Sequence, residues 1–73
     1  MWFKVAMMAE DSDEAVVFLN DSEYAAVCNF LNQVKEQRSK YSWVGGHWVI
    51  SEPCETKEEA EKINWYQLIK TDE

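Results

Sequence analysis

Along residues 2–9 apolar side chains fall on both parities of the chain, Phe3, Val5 and Met7 on one and Trp2, Ala6 and Met8 on the other, with Lys4 as the single charge. This alternation predicts a strand with apolar groups on both faces. Glu10, Asp11, Ser12, Asp13 and Glu14 form an acidic connector, and the β-branched and aromatic run over residues 15–19 predicts a second strand. Together they make an antiparallel hairpin. Asn20 as N-cap puts Glu23 at the third helical position, a capping box, and puts Leu19 and Tyr24 where a hydrophobic staple forms. Tyr24, Val27, Cys28, Leu31 and Val34 then recur at three- and four-residue spacing with Phe30 on the flank, which predicts a long amphipathic helix over residues 21–39. Lys35, Arg38 and Lys40 near its end complement the helix dipole.

Two β-prone runs meet next at Gly45 and Gly46, with Tyr41, Ser42, Trp43 and Val44 before them and His47, Trp48, Val49 and Ile50 after. A type I′ turn needs positive φ at both central residues, which glycine reaches without a Cβ clash. A tight hairpin is therefore predicted, with Val44 opposite His47, Trp43 opposite Trp48 and Tyr41 opposite Ile50. Its Tyr41, Trp43, Trp48 and Ile50 side is expected to cover the apolar stripe of the long helix, the alternative being that the Ser42, Val44, His47 and Val49 side faces the helix and leaves the aromatic side as an anchor patch. Pro53 breaks the second run, because proline cannot donate to a ladder. Thr56 with Glu59 repeats the capping signature before a short helix over residues 57–64, supported by a Glu58–Lys62 pair. Residues 65–69 do not stay on one helical face with Ala60 and Ile63, which predicts a final strand, with continuation of the helix as the alternative. The expected fold is α+β in the order ββαββαβ, with both helices on one face of a small, mostly antiparallel sheet and residues 1–73 in one compact domain.

Composition changes the picture in two respects. At 73 residues a single core leaves only about 3–5 kcal/mol of net stability, so four Trp, three Tyr and three Phe read first as large side chains compensating for a short chain. Fourteen acidic against seven basic residues give a net charge of −7, which disfavours direct binding to nucleic acid or a membrane surface and favours a basic protein partner. The N-terminus has no secretory pattern and no apolar run approaches a membrane span, so a cytoplasmic protein with reduced Cys28 and Cys54 is expected.

Candidate chemistry is sparse. Cys28, Cys54 and His47 are the only soft ligands, and their spacing matches no zinc or thiol–imidazole site. The 10–14 run lacks the calcium-loop pattern, since Ala15 occupies a position that needs an oxygen ligand and no glycine marks the turn. The only glycines already have a turn to make, so there is no phosphate-binding loop. Neither metal, cofactor nor enzymatic activity is expected.

What remains is contact chemistry. Glu10, Asp11, Asp13 and Glu14, with Asp21, Glu55, Glu58 and Glu59, are the candidate acidic contacts, and they would form one negative face if the two segments lie on the same side. Trp43, Trp48 and Trp65 are the candidate aromatic anchors, because tryptophan dominates interface hot spots. The expected function is a non-catalytic protein-binding module, an inhibitor or adaptor docking on a basic, nucleic-acid-handling protein by imitating a phosphate backbone. In composition alone the chain resembles compact phage-encoded inhibitors of host enzymes. The alternative is a self-associating domain that forms a homodimer through an edge strand or an aromatic patch.

Overall fold

The computed structural model describes residues 1–72, with side chains as far as Lys70. The chain forms β1 (Trp2–Met8), β2 (Ser12–Phe18), α1 (Asp21–Glu36), β3 (His47–Ile50), α2 (Lys57–Lys62) and α3 (Trp65–Asp72). The class is α+β as expected, but the order is ββαβαα and not ββαββαβ.

β1 is the centre of a three-stranded antiparallel sheet in the order β2-β1-β3. The hairpin forms with Trp2 opposite Phe18 and Met8 opposite Ser12, so β2 begins at Ser12 and the connector shrinks to a turn closed by Ala9 N–H donating to Asp11 O at 3.0 Å. α1 starts where the capping box requires: Asn20 Oδ1 accepts from Glu23 N–H at 2.8 Å, and Glu23 Oε1 accepts from Asn20 N–H at 3.0 Å. It ends at Glu36, three residues before the expected stop. Gln37, Arg38, Ser39 and Lys40 add nothing to the apolar stripe, so no burial offsets the cost of extending the helix.

The Gly-Gly hairpin does not form. Gly45 and Gly46 do adopt positive φ, +67° and +75°, but residues 41–44 are turns, with Val44 N–H donating to Tyr41 O at 3.0 Å. β3 pairs with β1, placing Val5 opposite Ile50 and Met8 opposite His47. An isolated two-stranded ribbon is marginal in water, whereas β1 offers a seven-residue partner already held in a sheet. Beyond β3, Pro53 interrupts the ladder and Ser51 repairs it. The Ser51 Oγ accepts from Lys4 N–H at 2.9 Å, and Trp2 and Cys54 then exchange two backbone bonds of 2.8 Å.

The C-terminal strand is also replaced. α2 stops at Ile63, and Asn64 caps a new helix, its Oδ1 accepting from Tyr66 N–H at 2.9 Å and Gln67 N–H at 3.3 Å. A fresh start frees residues 65–69 from the α2 face, so Trp65, Leu68 and Ile69 share a side at three- and four-residue spacing. Thr56 gives half of the expected capping box: its Oγ1 accepts from Glu59 N–H at 3.2 Å, while the Glu59 carboxylate takes Glu55 N–H at 3.2 Å.

Helices cover both faces of the sheet, not one. β1 is apolar on both sides, so each side needs a cover. α2 and α3 lie on the side of Lys4, Ala6 and Met8, where Ala6, Val49 and Ile69 form the buried core with Met8, Trp65 and Leu68 packed against it. Lys4 is buried there and kept polar by two partners, its Nζ donating to Glu61 O at 3.1 Å and pairing with Glu14 Oε2 at 3.5 Å. α1 lies over Phe3, Val5 and Trp48, with Tyr24 stacked on Phe3 at 4.5 Å between centroids, and none of its described residues is fully buried.

Candidate functional site

After α1 the chain turns back over the helix and carries an aromatic series with it. Tyr41 is fixed by its hydroxyl donating to Gln33 Oε1 at 3.1 Å, by Phe30 set edge-on at 5.7 Å and by Lys40 Nζ above its ring at 5.4 Å. Trp43 follows at 6.3 Å from Tyr41 and is 74% exposed. An indole held out by a short turn whose base is pinned loses little freedom on docking, which is what an interface anchor requires.

Gly46 seats this loop against the first hairpin. A Cβ there would meet Met8 O at 2.9 Å and the Ala9 Cβ at 3.0 Å, so the close approach requires glycine. The Gly46 turn and the acidic tip therefore share one end of the sheet, while Tyr41 and Trp43 lie back over α1. Glu10, Asp11, Asp13 and Glu14 are exposed at that end. Trp65 borders a hollow with Ser12, Asp13 and Glu14, and Trp48 borders another with Asp13, Glu14 and Ala15. Of the three tryptophans named from sequence, Trp48 and Trp65 thus approach the acidic tip, from different sides, while Trp43 stands beside Tyr41 over α1. Trp48 lies on the α1 side, half-buried, its Nε1 donating to Gly45 O at 2.8 Å, while Trp65 lies on the α3 side against the core.

Asp21, Glu55, Glu58 and Glu59 go elsewhere. Asp21 follows the end of β2, where Phe18 pairs with Trp2, and Glu55 follows Cys54, which also bridges to Trp2. These four exposed residues occupy the opposite end of a sheet that is seven residues, roughly 20 Å, long. The eight carboxylates form two groups and not one continuous face.

Sequence reasoning passed over Phe30 and Tyr41 as contacts, although Phe30 lies off the helical stripe and that displacement foretells its exposure. It also passed over an apolar cleft of about 330 Å³ between α1 and the sheet, bordered by Val5, Val17, Val27, Phe30, Leu31 and Trp48. Beside it is a more polar hollow of about 220 Å³ that shares Leu31 and Trp48 and is ringed by Lys35, Arg38 and His47.

Cys28 and Cys54 are free thiols. The Tyr24 hydroxyl bonds to Cys28, and that bond, followed by burial, holds the phenol above its ordinary pKa of 10.0. Among the described residues no group of three or more His, Cys, Asp or Glu could hold a metal ion, and no helix is long and apolar enough to cross a membrane. Set against known protein families, curated proteins and solved structures, the chain finds no match.

Proposed function

We propose that this chain is a non-catalytic protein-binding module that docks on a basic protein, acting as an inhibitor or adaptor. The observation that carries this reading is Trp43, 74% exposed beside a Tyr41 fixed on α1, in a chain whose first hairpin turn presents the exposed carboxylates of Glu10, Asp11, Asp13 and Glu14. An exposed indole and a separate group of carboxylates suit an interface in which the indole supplies affinity and the carboxylates steer the encounter. A nucleic-acid-handling protein is the natural basic partner, because its phosphate-binding surface complements a net charge of −7.

Affinity capture from the native host at low and high salt tests the proposal, using the native chain beside Trp43→Ala and a Glu10→Gln, Asp11→Asn, Asp13→Asn, Glu14→Gln variant. Trp43→Ala is expected to change stability by no more than about 0.5 kcal/mol, since the side chain is mostly in water. It should nevertheless abolish capture of a basic protein, and the neutralised tip should weaken capture most at low salt. A basic partner retained equally by all three chains, or none recovered at either salt, would overturn the proposal.

Self-association is the second reading, favoured by Phe18, which is 61% exposed at the end of the edge strand β2. Sedimentation across a concentration series separates the two, because a strict monomer excludes the homodimer.

A further inference from the structure

We propose that the open edge of β2 is completed by an antiparallel strand from the basic partner, a segment that carries two adjacent cationic residues opposite Asp13 and Ser12. The inference rests on the docking reading and deepens it, since it names the chemistry by which a basic protein is met.

Three observations carry it. The first is the direction of the backbone groups. β2 has β1 on one side only and forms an edge of the sheet. The Met1 amino group donates to Leu19 O at 3.1 Å and Leu19 N–H donates to Met1 O at 3.0 Å, so Leu19 turns both its groups towards β1. The alternation of an antiparallel ladder gives Val17, Ala15 and Asp13 the same direction and turns Phe18, Val16, Glu14 and Ser12 outward. β1 agrees, because Trp2 and Lys4 direct their backbone groups to Cys54 and Ser51 on its other side. Val16 and Phe18 therefore present donors and acceptors at the spacing that an added strand bonds.

The second observation is a guarded donor. The outward N–H of Glu14 donates to Asp13 Oδ1 at 2.8 Å. A carbonyl of an incoming strand takes over that donor and releases the Asp13 carboxylate beside the newcomer. A cationic residue there pairs the released charge, whereas a neutral or acidic one leaves it without compensation. A second copy of this chain would bring its own net charge of −7 to the edge.

The third is the placement of side chains beside the edge. Ser12 and Asp13 face opposite sides of the sheet, because successive residues of a strand alternate. Ser12 borders a hollow of about 180 Å³ with Asp13, Glu14 and Trp65, and Asp13 borders one of about 70 Å³ with Glu14, Ala15 and Trp48. Each joins carboxylates to an indole, a combination that receives an ammonium or guanidinium through both charge and the ring face. Adjacent cationic residues opposite Asp13 and Ser12 point to these two sides in turn. Glu14 Oε2 already pairs with the buried Lys4 at 3.5 Å, so the decisive carboxylate is Asp13.

The probe is the peptide acetyl-Thr-Val-Thr-Val-Thr-Arg-Lys-amide, whose first residue lies opposite Phe18 and whose last lies opposite Ser12. It is titrated into the full chain and followed by amide resonance shifts and hydrogen exchange. Saturable binding is expected, with exchange at Val16 and Phe18 slowed by about tenfold or more. N-methylation of its third residue, opposite Val16, should abolish binding. N-methylation of its second residue, whose N–H points away from β2, should change affinity by less than about twofold. Replacing Arg-Lys by Gln-Gln should weaken binding about tenfold at low salt, and Asp13→Asn should weaken the basic peptide about threefold while leaving the Gln-Gln peptide unchanged. Asp13 is exposed and asparagine can still accept from Glu14 N–H, so this variant should retain the fold. No saturable binding, equal losses from the two N-methyl peptides, equal affinity for the Gln-Gln peptide, or peptide-independent protection of Val16 and Phe18 that grows with protein concentration would each overturn the proposal. Trp43→Ala keeps the two readings distinguishable, because it should abolish capture of the host partner and leave peptide affinity unchanged. Failure of the peptide with capture intact overturns the strand-addition inference alone, whereas peptide binding with no basic partner captured supports the edge site and overturns the docking reading.

Discussion

On one face of the sheet Ala6, Val49 and Ile69 are almost wholly withdrawn from water, whereas on the other none of the described residues of α1 is. Both faces share β1, so the strand does not account for the difference. The covering helices do. α3 presents Trp65, Leu68 and Ile69 directly onto Ala6, Val49 and Met8, small and large side chains fitting together, and α2 adds the buried Ala60. α1 reaches the sheet through the Tyr24–Phe3 stack at one end and Leu31 and Trp48 at the other, and between these supports the cleft stays open. The shorter helices thus make the dry core, and the longest helix is the looser cover. One face thus carries the clustered core, while the other buries Phe3 under Tyr24 and leaves the rest of the α1 stripe half in water.

The largest expected effect comes from breaking the closed face. Ile69 is 2% exposed and clusters with the two other core residues, so Ile69→Ala should cost about 4 kcal/mol by lost transfer energy and the cavity left behind. For a chain this short that approaches the whole margin of stability, and denaturant titration should show a largely unfolded variant. A cost near 1 kcal/mol would mean that the closed face is not the principal core.

The Gly45–Gly46 turn joins the faces, because it delivers β3 with Trp48 on one side and Val49 on the other. Gly45→Ala should cost about 1 kcal/mol for positive φ alone, as nothing lies within 4 Å of the added Cβ. Gly46→Ala should cost on the order of 3 kcal/mol, adding a collision with the β1–β2 turn to the same strain. Equal values for the two would show that the turn does not seat on the hairpin in solution.

These elements also explain what the sequence could and could not convey. The first hairpin, the α1 capping box and the positive φ of both glycines are set by residues within a few positions of one another, and all three were legible. The partner of β3 was not, since Gly45 and Gly46 favour a local hairpin and only the long-range availability of β1 reverses that choice. Residues 65–69 were misread as a strand because Asn64 resets the helical phase with a single cap. Cover on both faces was implicit in the double apolar parity of β1, but nothing local says which helix goes to which side. The candidate site was legible in part. Trp43 and the acidic tip were named, while the return of Tyr41 over α1 depends on contacts with Gln33 and Phe30, and the cleft arises from incomplete packing that no spacing reveals.

A smaller effect measures how loose the open face is. Leu31 borders the cleft and is half-buried, so Leu31→Ala should cost about 1 kcal/mol, since part of its surface already meets water and little new cavity is created. The ratio to Ile69→Ala is the informative quantity. A Leu31→Ala cost matching that of Ile69→Ala would show that α1 closes onto the sheet in solution, and the division between the faces would fail.

The smallest expected effect is a pH dependence confined to the support that α1 does possess. Tyr24 stacks on Phe3, and its hydroxyl bonds to Cys28, which with burial holds its pKa above the ordinary 10.0. The raised value means that the folded chain keeps the phenolic proton more tightly than the unfolded chain. This contribution is therefore fully present below pH 10 and is lost as pH rises through the unfolded value towards the folded one. Urea titrations on either side of pH 10 should show stability falling with pH, and Tyr24→Phe should flatten that fall while preserving the stack on Phe3. An unchanged slope in Tyr24→Phe would assign the alkaline loss to other groups. It would also mean that the hydroxyl is solvated in solution, leaving the ring stack alone to tie the start of α1 to the open face.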